Sequence, residues 1–354
     1  MTSRERVWAV ITHQPVDRVP AELWATAEVR QMLLEHFATD EWQVVLDRLG
    51  VDGFAHVGMP YTGPPRVGPD GQPAGLWGVQ SRTITLPTGG TYSERIRAPL
   101  AEVTDPAELD DFNWEDPADH DFKAAGRVCR EAQPHKVTMA GYIAPYVDLW
   151  NLFGEERALL NIALRPELIE AVLERTMHYR LRQHRMLFEA CGGYLDVTQV
   201  TDDFGSQNGL IMSHGHIREL FWPHYRAAIA LAHEFGLKVY HHDDGGIAEI
   251  IPDLVEMGVE ILNPVQWACR GMDLEWLKRE FGRDLCFDGA VENQRIIPFG
   301  TPDEVRAEVR KNIRILAGDG TGYICGPCHN IQSGTPLENV LALYDEIRAS
   351  GRFE

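Results

Sequence analysis

The feature that most constrains this chain is an alternation of short β-rich runs with amphipathic helical stretches. In its second half, apolar runs end in Gly, Asp, His or Asn, and helical patterns such as Ile217 to Glu234 and Pro302 to Leu316 lie between them. Strands that are joined through helices run parallel to one another. The pattern therefore predicts a parallel sheet with crossover helices.

The sequence contains eight strand candidates: Val19 to Trp24, Gly53 to Gly58, Lys136 to Gly141, Tyr194 to Val200, Leu237 to His242, Glu260 to Asn263, Leu285 to Phe287 and Gly322 to Ile324. Eight strands with intervening helices in 354 residues predict an α/β fold, a (β/α)₈ TIM barrel. We expect residues 1–354 to form a single barrel domain. An open doubly wound sheet is the alternative, but no Gly-rich phosphate loop follows the first strand.

The segment Gly71 to Leu100 interrupts the alternation. Two runs with strand character, Thr83 to Leu86 and Tyr92 to Ile96, flank the sequence Pro87-Thr88-Gly89-Gly90. A Gly-Gly turn between alternating runs is typical of a β-hairpin. We therefore predict a β-hairpin insertion after the second strand, near the mouth of the barrel.

Charge and composition exclude several classes of partner. The formal net charge is −20, so nucleic acid and anionic membrane surfaces are disfavoured. No apolar run approaches the roughly 20 residues that span a bilayer, and the N-terminal residues lack the apolar core of a secretory signal. Six cysteines in a chain of this length do not make a disulfide framework. These observations predict a cytoplasmic protein with reduced thiols.

Polar, reactive side chains gather at the predicted carboxyl ends of the strands. In a β/α barrel the catalytic groups lie at these ends. The density of His, Asp and Cys there favours an active site over ordinary polar loops. The set comprises Asp202, Asp203, His241, His242, Asp243, Asp244, Asn263, Gln266, Asp288, Cys325, Cys328 and His329.

His242 and Asp244 are the sharpest pair in this set. Side chains alternate along a strand, so residues two apart point the same way. An imidazole and a carboxylate in this arrangement can hold one cation, and both are zinc ligands. The alternative is that Asp244 caps a helix predicted over Ile247 to Glu256.

A Cys-Gly-Pro-Cys motif, Cys325 to Cys328, follows the last strand. Its spacing is that of thioredoxin-type redox sites, but the chain does not continue directly into a helix. We therefore expect no redox disulfide there. In a closed barrel Cys328 faces His242 across the mouth, and with Asp244 this makes three metal ligands with one open position.

Paired carboxylates at a strand end can carry out acid–base chemistry. The alternative for Asp202-Asp203 is a helix cap beside a solvated carboxylate. Aromatic side chains near the mouth could line an apolar pocket. We assign catalytic roles to Asp202, Asp203 and Gln207, and substrate contacts to Trp24, Tyr142, Phe204 and Gln266.

Five segments, in order, resemble those of the uroporphyrinogen decarboxylase-like family over nearly the whole chain. They are Glu5-Arg6-Val7 with Asp17-Arg18-Val19-Pro20, Thr201 to Gln207, His242-Asp243-Asp244-Gly245, Asn263-Pro264-Val265-Gln266, and Gly326-Pro327-Cys328-His329-Asn330. The resemblance implies a (β/α)₈ barrel. It also implies one of two activities: cofactor-free decarboxylation of uroporphyrinogen, or zinc-dependent methyl transfer to or from a corrinoid protein.

The chain departs from both branches of the family. Where the decarboxylases carry an Arg-rich segment that binds substrate carboxylates, this chain has Ala25-Thr26-Ala27-Glu28-Val29-Arg30-Gln31. Carried over from the methyltransferases, the zinc ligands are His242, Asp244 and Cys328, with Asp244 in place of a cysteine. Asp203, His241, His329 or water remain open as the fourth ligand.

These observations predict a zinc-dependent methyltransferase that demethylates a small methylated substrate, with a methoxylated compound as one option. The methyl group would pass to a corrinoid carried by a partner protein. The alternative is a cofactor-free decarboxylase or lyase of the same family acting on a non-porphyrin substrate. A homodimer is left open.

Overall fold

The computed structural model describes residues 1–87 and 89–353. Seven parallel strands form one curled sheet in the order β1-β4-β5-β8-β9-β10-β11, and two antiparallel ribbons, β2-β3 and β6-β7, lie outside it. The strands are β1 Phe54–Val57, β2 Gln80–Thr85, β3 Thr91–Arg97, β4 Val137–Ile143, β5 Val197–Val200, β6 Gly205–Ser206, β7 Gly209–Leu210, β8 Lys238–His242, β9 Ile261–Asn263, β10 Cys286–Val291 and β11 Tyr323–Pro327. This is an α/β fold consistent with a TIM barrel.

Residues 20–22 connect the two edges of the sheet. Ala21 forms a parallel bridge with Cys325 of β11, and its carbonyl accepts hydrogen bonds from the amides of Asp52 and Gly53 just before β1. The predicted strand Val19 to Trp24 is therefore reduced to a bridge. The other seven predicted strands all appear in the sheet with shifted bounds.

Helices cover the outside of the sheet, and the larger apolar core lies between the two layers. They are α1 Ser3–Ile11, α2 Ala27–His36, α3 Trp42–Leu49, α4 Phe122–Ala132, α5 Pro145–Phe153, α6 Glu155–Leu164, α7 Pro166–Cys191, α8 His214–His216, α9 Trp222–Glu234, α10 Ile251–Met257, α11 Leu274–Phe281, α12 Ile296–Phe299, α13 Pro302–Leu316 and α14 Leu337–Ser350. Among the described residues, no helix combines the length and apolarity that crossing a membrane requires.

The first helix closes the amino-terminal end of the sheet. Apolar residues of α1 join the first residues of several strands in a second core, which includes Val7, Val10, Val137, Val197 and Ile324. An arginine–carboxylate network holds the adjoining chain. Arg6 donates to Asp17 at 2.7 Å and to Asp52 at 2.6 Å, and Arg18 donates to Asp52 at 2.7 Å. The first segment of the family resemblance, which contains Arg6, Asp17 and Arg18, therefore has a structural role. A site is expected at the opposite end of the sheet.

Strands β2 and β3 pair antiparallel and form a hairpin. Thr88, in the predicted turn, lies outside the described residues. The amide of Thr91 donates to Glu28 of α2 at 3.1 Å, and the Arg95 guanidinium lies 4.9 Å from the Trp150 ring of α5. The hairpin thus packs on helices that follow the carboxyl ends of the first strands. Its action as an insertion covering the mouth stays a prediction.

Candidate active site

The carboxyl ends of the strands surround a cavity of about 750 Å³. This size is within the usual range for small-molecule sites. Five of the residues to which the sequence assigned a catalytic, substrate-binding or metal-binding role line it: Trp24, Tyr142, Asp203, His242 and Asp244. His329 lines it as well. The cavity is therefore the candidate active site.

A hydrogen-bond chain holds the His242 ring. Its Nδ1 donates to Asn263 Oδ1 at 2.6 Å, while Asn263 Nδ2 donates to the Asp288 carboxylate at 3.3 Å. Because Asp288 accepts from the Asn263 amide nitrogen, it orients the amide, and the amide oxygen in turn favours a proton on Nδ1. His242 Nε2 is left with its lone pair towards Asp244 Oδ1, at 3.9 Å.

Asp244 and His329 complete a group of potential metal ligands. Gln266 holds Asp244 by donating from Nε2 to Oδ1 at 2.9 Å, and His329 Nε2 lies 3.5 Å from Asp244 Oδ2. One ligand atom from each of His242, Asp244 and His329 lies within 4.8 Å of the others. Burial raises the pKa of Asp244, and the two imidazoles oppose that rise. The Trp24 ring packs over His329 at 4.5 Å.

The structure excludes one of the two sequence interpretations of Asp244, the helix cap. Helix α10 begins at Ile251, so the prediction of a helix from Ile247 was wrong and Asp244 does not cap it. The loop that contains Asp244 packs closely against the loop that contains Gly205. A Cβ on Gly205 would lie 2.1 Å from the Asp244 carbonyl oxygen, so only glycine fits there.

Cys328 lies beside this group but outside it. Its thiol donates to Asn293 Oδ1 at 3.2 Å, and the residue is 3% exposed. Burial raises the pKa of the thiol to about 12. Cys328 faces a small pocket that it shares with Cys269 and Glu292. Of the two adjacent loop residues, His329 is the one that points into the mouth.

The two aspartates after β5 have different surroundings. Asp202 is 1% exposed, and it accepts hydrogen bonds from the Val147 amide at 2.9 Å and the Tyr225 hydroxyl at 3.0 Å. It therefore anchors α5 and α9, and it does not line the cavity. Asp203 does line it, with Oδ1 4.0 Å from His242 Nε2. Of the two carboxylates predicted to be catalytic, the structure places only Asp203 at the cavity.

Four more of the residues singled out from the sequence do not line the cavity. Phe204 is fully buried among Tyr146, Phe221, Trp222 and Tyr225. Gln207 lies on the β6-β7 turn and donates to Gln294 at 3.2 Å. Gln266 accepts from the Gly245 amide at 2.7 Å and orients Asp244. His241 is fully buried and donates to the Val200 carbonyl at 2.9 Å. The expected substrate contacts of Phe204 and Gln266 are replaced by packing and support, because both side chains turn into the protein.

Residues that the sequence did not single out line the floor of the cavity. Glu22, His56, Lys136 and Tyr240 all face it, and Asp288 joins them. Asp288 was visible as a strand-end carboxylate. Glu22 lies inside a short apolar run. A single acidic residue in a predicted strand does not by itself indicate a functional role, so the sequence does not single it out.

Comparisons with known proteins agree with this architecture. The family model described as uroporphyrinogen decarboxylase (URO-D) matches residues 83–350. A methyltransferase from Methanosarcina mazei superposes over 99% of both chains with a TM-score of 0.64 at 17% identity. A B12-independent methionine synthase from Shewanella sp. W3-18-1 is more distant, with a TM-score of 0.43 and 12% identity over 77% of this chain and 73% of that one. No curated protein matches the chain in sequence.

Proposed function

Because the chain belongs to the uroporphyrinogen decarboxylase family, we propose that it is a zinc-dependent methyltransferase. It would demethylate a small methylated substrate and pass the methyl group to a corrinoid on a partner protein. The observation that carries the proposal is the convergence of His242, Asp244 and His329 at the mouth of the cavity. The overall similarity to a Methanosarcina methyltransferase is consistent with it.

The donor set suits zinc. Two imidazoles and one carboxylate are the ligand type of several catalytic zinc sites. Ligands about 2.1 Å from a tetrahedral zinc lie about 3.4 Å apart. His329 Nε2 and Asp244 Oδ2 are 3.5 Å apart, and His242 Nε2 and Asp244 Oδ1 are 3.9 Å apart. Small side-chain shifts would bring these three groups to coordination distance of a zinc ion, which would leave a fourth position for substrate.

We take His329 as the third ligand in preference to Cys328. The Cys328 thiol faces Asn293 and must lose a proton from a group whose pKa is raised to about 12. Cys328 remains the competing ligand, because a rotation about its Cα–Cβ bond redirects the sulfur and zinc lowers the pKa of a thiol that binds it.

The side chains around the site have distinct tasks. Asn263 holds His242 with Nε2 towards Asp244, and Gln266 holds Asp244. Trp24 and Tyr142 line the mouth beside these groups and can exclude water from the methyl group. Bound zinc would act as a Lewis acid towards the heteroatom that carries the methyl group.

The proton needed on the departing heteroatom has a candidate donor. Transfer of the methyl group to a corrinoid would break the carbon–heteroatom bond, and the heteroatom left behind would need a proton. Asp203 Oδ1 lies 4.0 Å from His242 Nε2, beside the ligand group and in the cavity wall. We assign the proton transfer to Asp203.

Zinc content and methyl transfer test the proposal together. Purified protein should hold about one zinc per chain, and a methoxylated substrate should methylate free cob(I)alamin. His242→Ala and His329→Ala should lower zinc affinity and transfer together, whereas Cys328→Ala should retain both. Thermal unfolding checks that each variant folds.

Two results would contradict this assignment of the site. Protein that binds no zinc after purification with zinc present would remove the proposal. Retention of zinc in His329→Ala with loss in Cys328→Ala would move the third ligand to the thiol.

A further inference from the structure

The floor of the cavity holds two carboxyl groups with unused acceptor capacity. Asp288 is 1% exposed, and its Oδ2 accepts from the Tyr240 hydroxyl at 2.7 Å. Its Oδ1 and the Glu22 Oε2 are buried and accept no hydrogen bond from the described residues. Buried acceptors are rarely left unpaired in folded proteins. Both side chains line the cavity, so its floor is built to receive a donor.

The neighbouring lysine, Lys136, offsets the charge of these acids only in part. Lys136 Nζ donates to the carbonyl oxygens of Val51 and Asp52, and within the described part of the chain it makes no ion pair with Glu22. Burial and the charge of Asp288 raise the pKa of Glu22, and the charge of Lys136 opposes this rise without cancelling it. Burial also lowers the pKa of His56, the other basic group at the floor. The floor therefore favours a positive charge supplied from outside.

The walls of the cavity are aromatic. Trp24, Trp42, Phe54 and Tyr142 line them, and the Tyr240 ring lies at the floor. Aromatic faces attract cations, and the attraction grows when water is excluded. A carboxylate pair surrounded by aromatic rings is a combination that selects an ammonium group over a neutral group of equal size.

We propose that the methylated substrate carries a cationic amino group, which binds between Glu22 and Asp288. Its methylated oxygen or sulfur would then reach His242, Asp244 and His329. This inference rests on the proposed function. Asn263 links the two ends, since its amide donates to Asp288 and accepts from His242. The distance between the ends is thus about one asparagine side chain with its hydrogen bonds. A substrate with an amine and a methyl ether or thioether at opposite ends fits this spacing.

Arg30 offers an alternative binding mode, for a substrate with a negative charge. Its guanidinium lies over the Trp42 ring, 4.5 Å from the centroid, and it lines the same cavity. A substrate carboxylate would bind there and turn away from the acidic floor. The two orientations predict opposite charge preferences, so one set of probes separates them.

The test uses three probes of one shape: 4-methoxybenzylamine, 4-methoxybenzyl alcohol and 4-methoxybenzoate. Binding is measured by calorimetry on the full chain, with and without zinc, in wild type, Glu22→Gln and Arg30→Gln. Glu22→Gln removes the charge and keeps the shape. Arg30→Gln is the matched control at the rim.

In wild type the amine should bind at least about tenfold more tightly than the alcohol, since a hydrogen bond to a charged group is worth about 1.5–3 kcal/mol. The benzoate should bind more weakly than the alcohol. Glu22→Gln should weaken amine binding about tenfold and leave alcohol binding unchanged. Arg30→Gln should leave both unchanged.

Several results would overturn the inference: no binding of the amine, equal binding of amine and alcohol, tightest binding of the benzoate, or unchanged amine binding in folded Glu22→Gln. The wild-type comparison does not depend on any variant folding. Tight amine binding without methyl transfer would leave the inference standing and remove the proposed function. Methyl transfer from neutral or anionic donors alone would leave the proposed function standing and remove the inference.

Discussion

Replacing Asp288 by asparagine should change how the stability of the protein depends on pH. The new amide would keep an oxygen that accepts from Tyr240, but it cannot ionise. In the native protein, burial raises the pKa of Asp288 from 3.8 to about 7. Between those values the folded state holds a proton that the unfolded state has lost, so the wild-type protein loses stability as pH rises from about 4 to about 7.

The size of the effect follows from the same values. A difference of about three pH units at about 1.36 kcal/mol per unit gives at most about 4 kcal/mol. The Glu22 pKa is raised in part by the charge of Asp288, so the substitution also reduces the slope that Glu22 contributes. An amide N–H in the place of Oδ1 also lowers the free energy of unfolding of the variant, by an amount that does not depend on pH.

Urea unfolding of both proteins from about pH 4 to about pH 8 measures this difference. The free energy of unfolding of wild type should fall with rising pH relative to Asp288→Asn, and the difference should level off above about pH 7. Parallel profiles would show that Asp288 is ionised throughout, as it would be with a cation beside it. That result would refute the account of the floor as two carboxyl groups without a neutralising partner.

Three further predictions follow from the site. Asn263→Ala should lower zinc affinity about 10- to 100-fold in chelator competition, because it frees the His242 ring; unchanged affinity would contradict the orienting role. Phe204→Ala should cost about 3–5 kcal/mol of unfolding free energy with probe affinity unchanged, and a selective loss of affinity in a stable variant would restore its substrate contact. Cys325 and Cys328 should stay reduced in thiol counting after mild oxidation, because burial raises the pKa of both thiols to about 12; a reversible loss of both thiols with changed activity would contradict this.

Local patterns in the sequence were enough to predict most of the strands and the edge of the sheet at which the candidate site lies. Seven of the eight predicted strands lie in the sheet, and the helix predicted over Pro302 to Leu316 has those bounds. Strand and helix periods are properties of a few consecutive residues, so they can be read without the fold. Parallel strands place their carboxyl ends together, so the amino-acid order alone predicts that His242 and Asp244 lie at one mouth.

The tertiary structure decided which side chains face the mouth. Asp203 and His329 face it, while their neighbours Asp202 and Cys328 turn into the protein. Alternation ends where the strand ends, and in a loop the direction of each side chain depends on backbone angles that are set by distant packing. The meeting of Glu22 and Asp288 at the floor depends likewise on the chain at 20–22 spanning the gap between β1 and β11, a contact between residues far apart in the sequence.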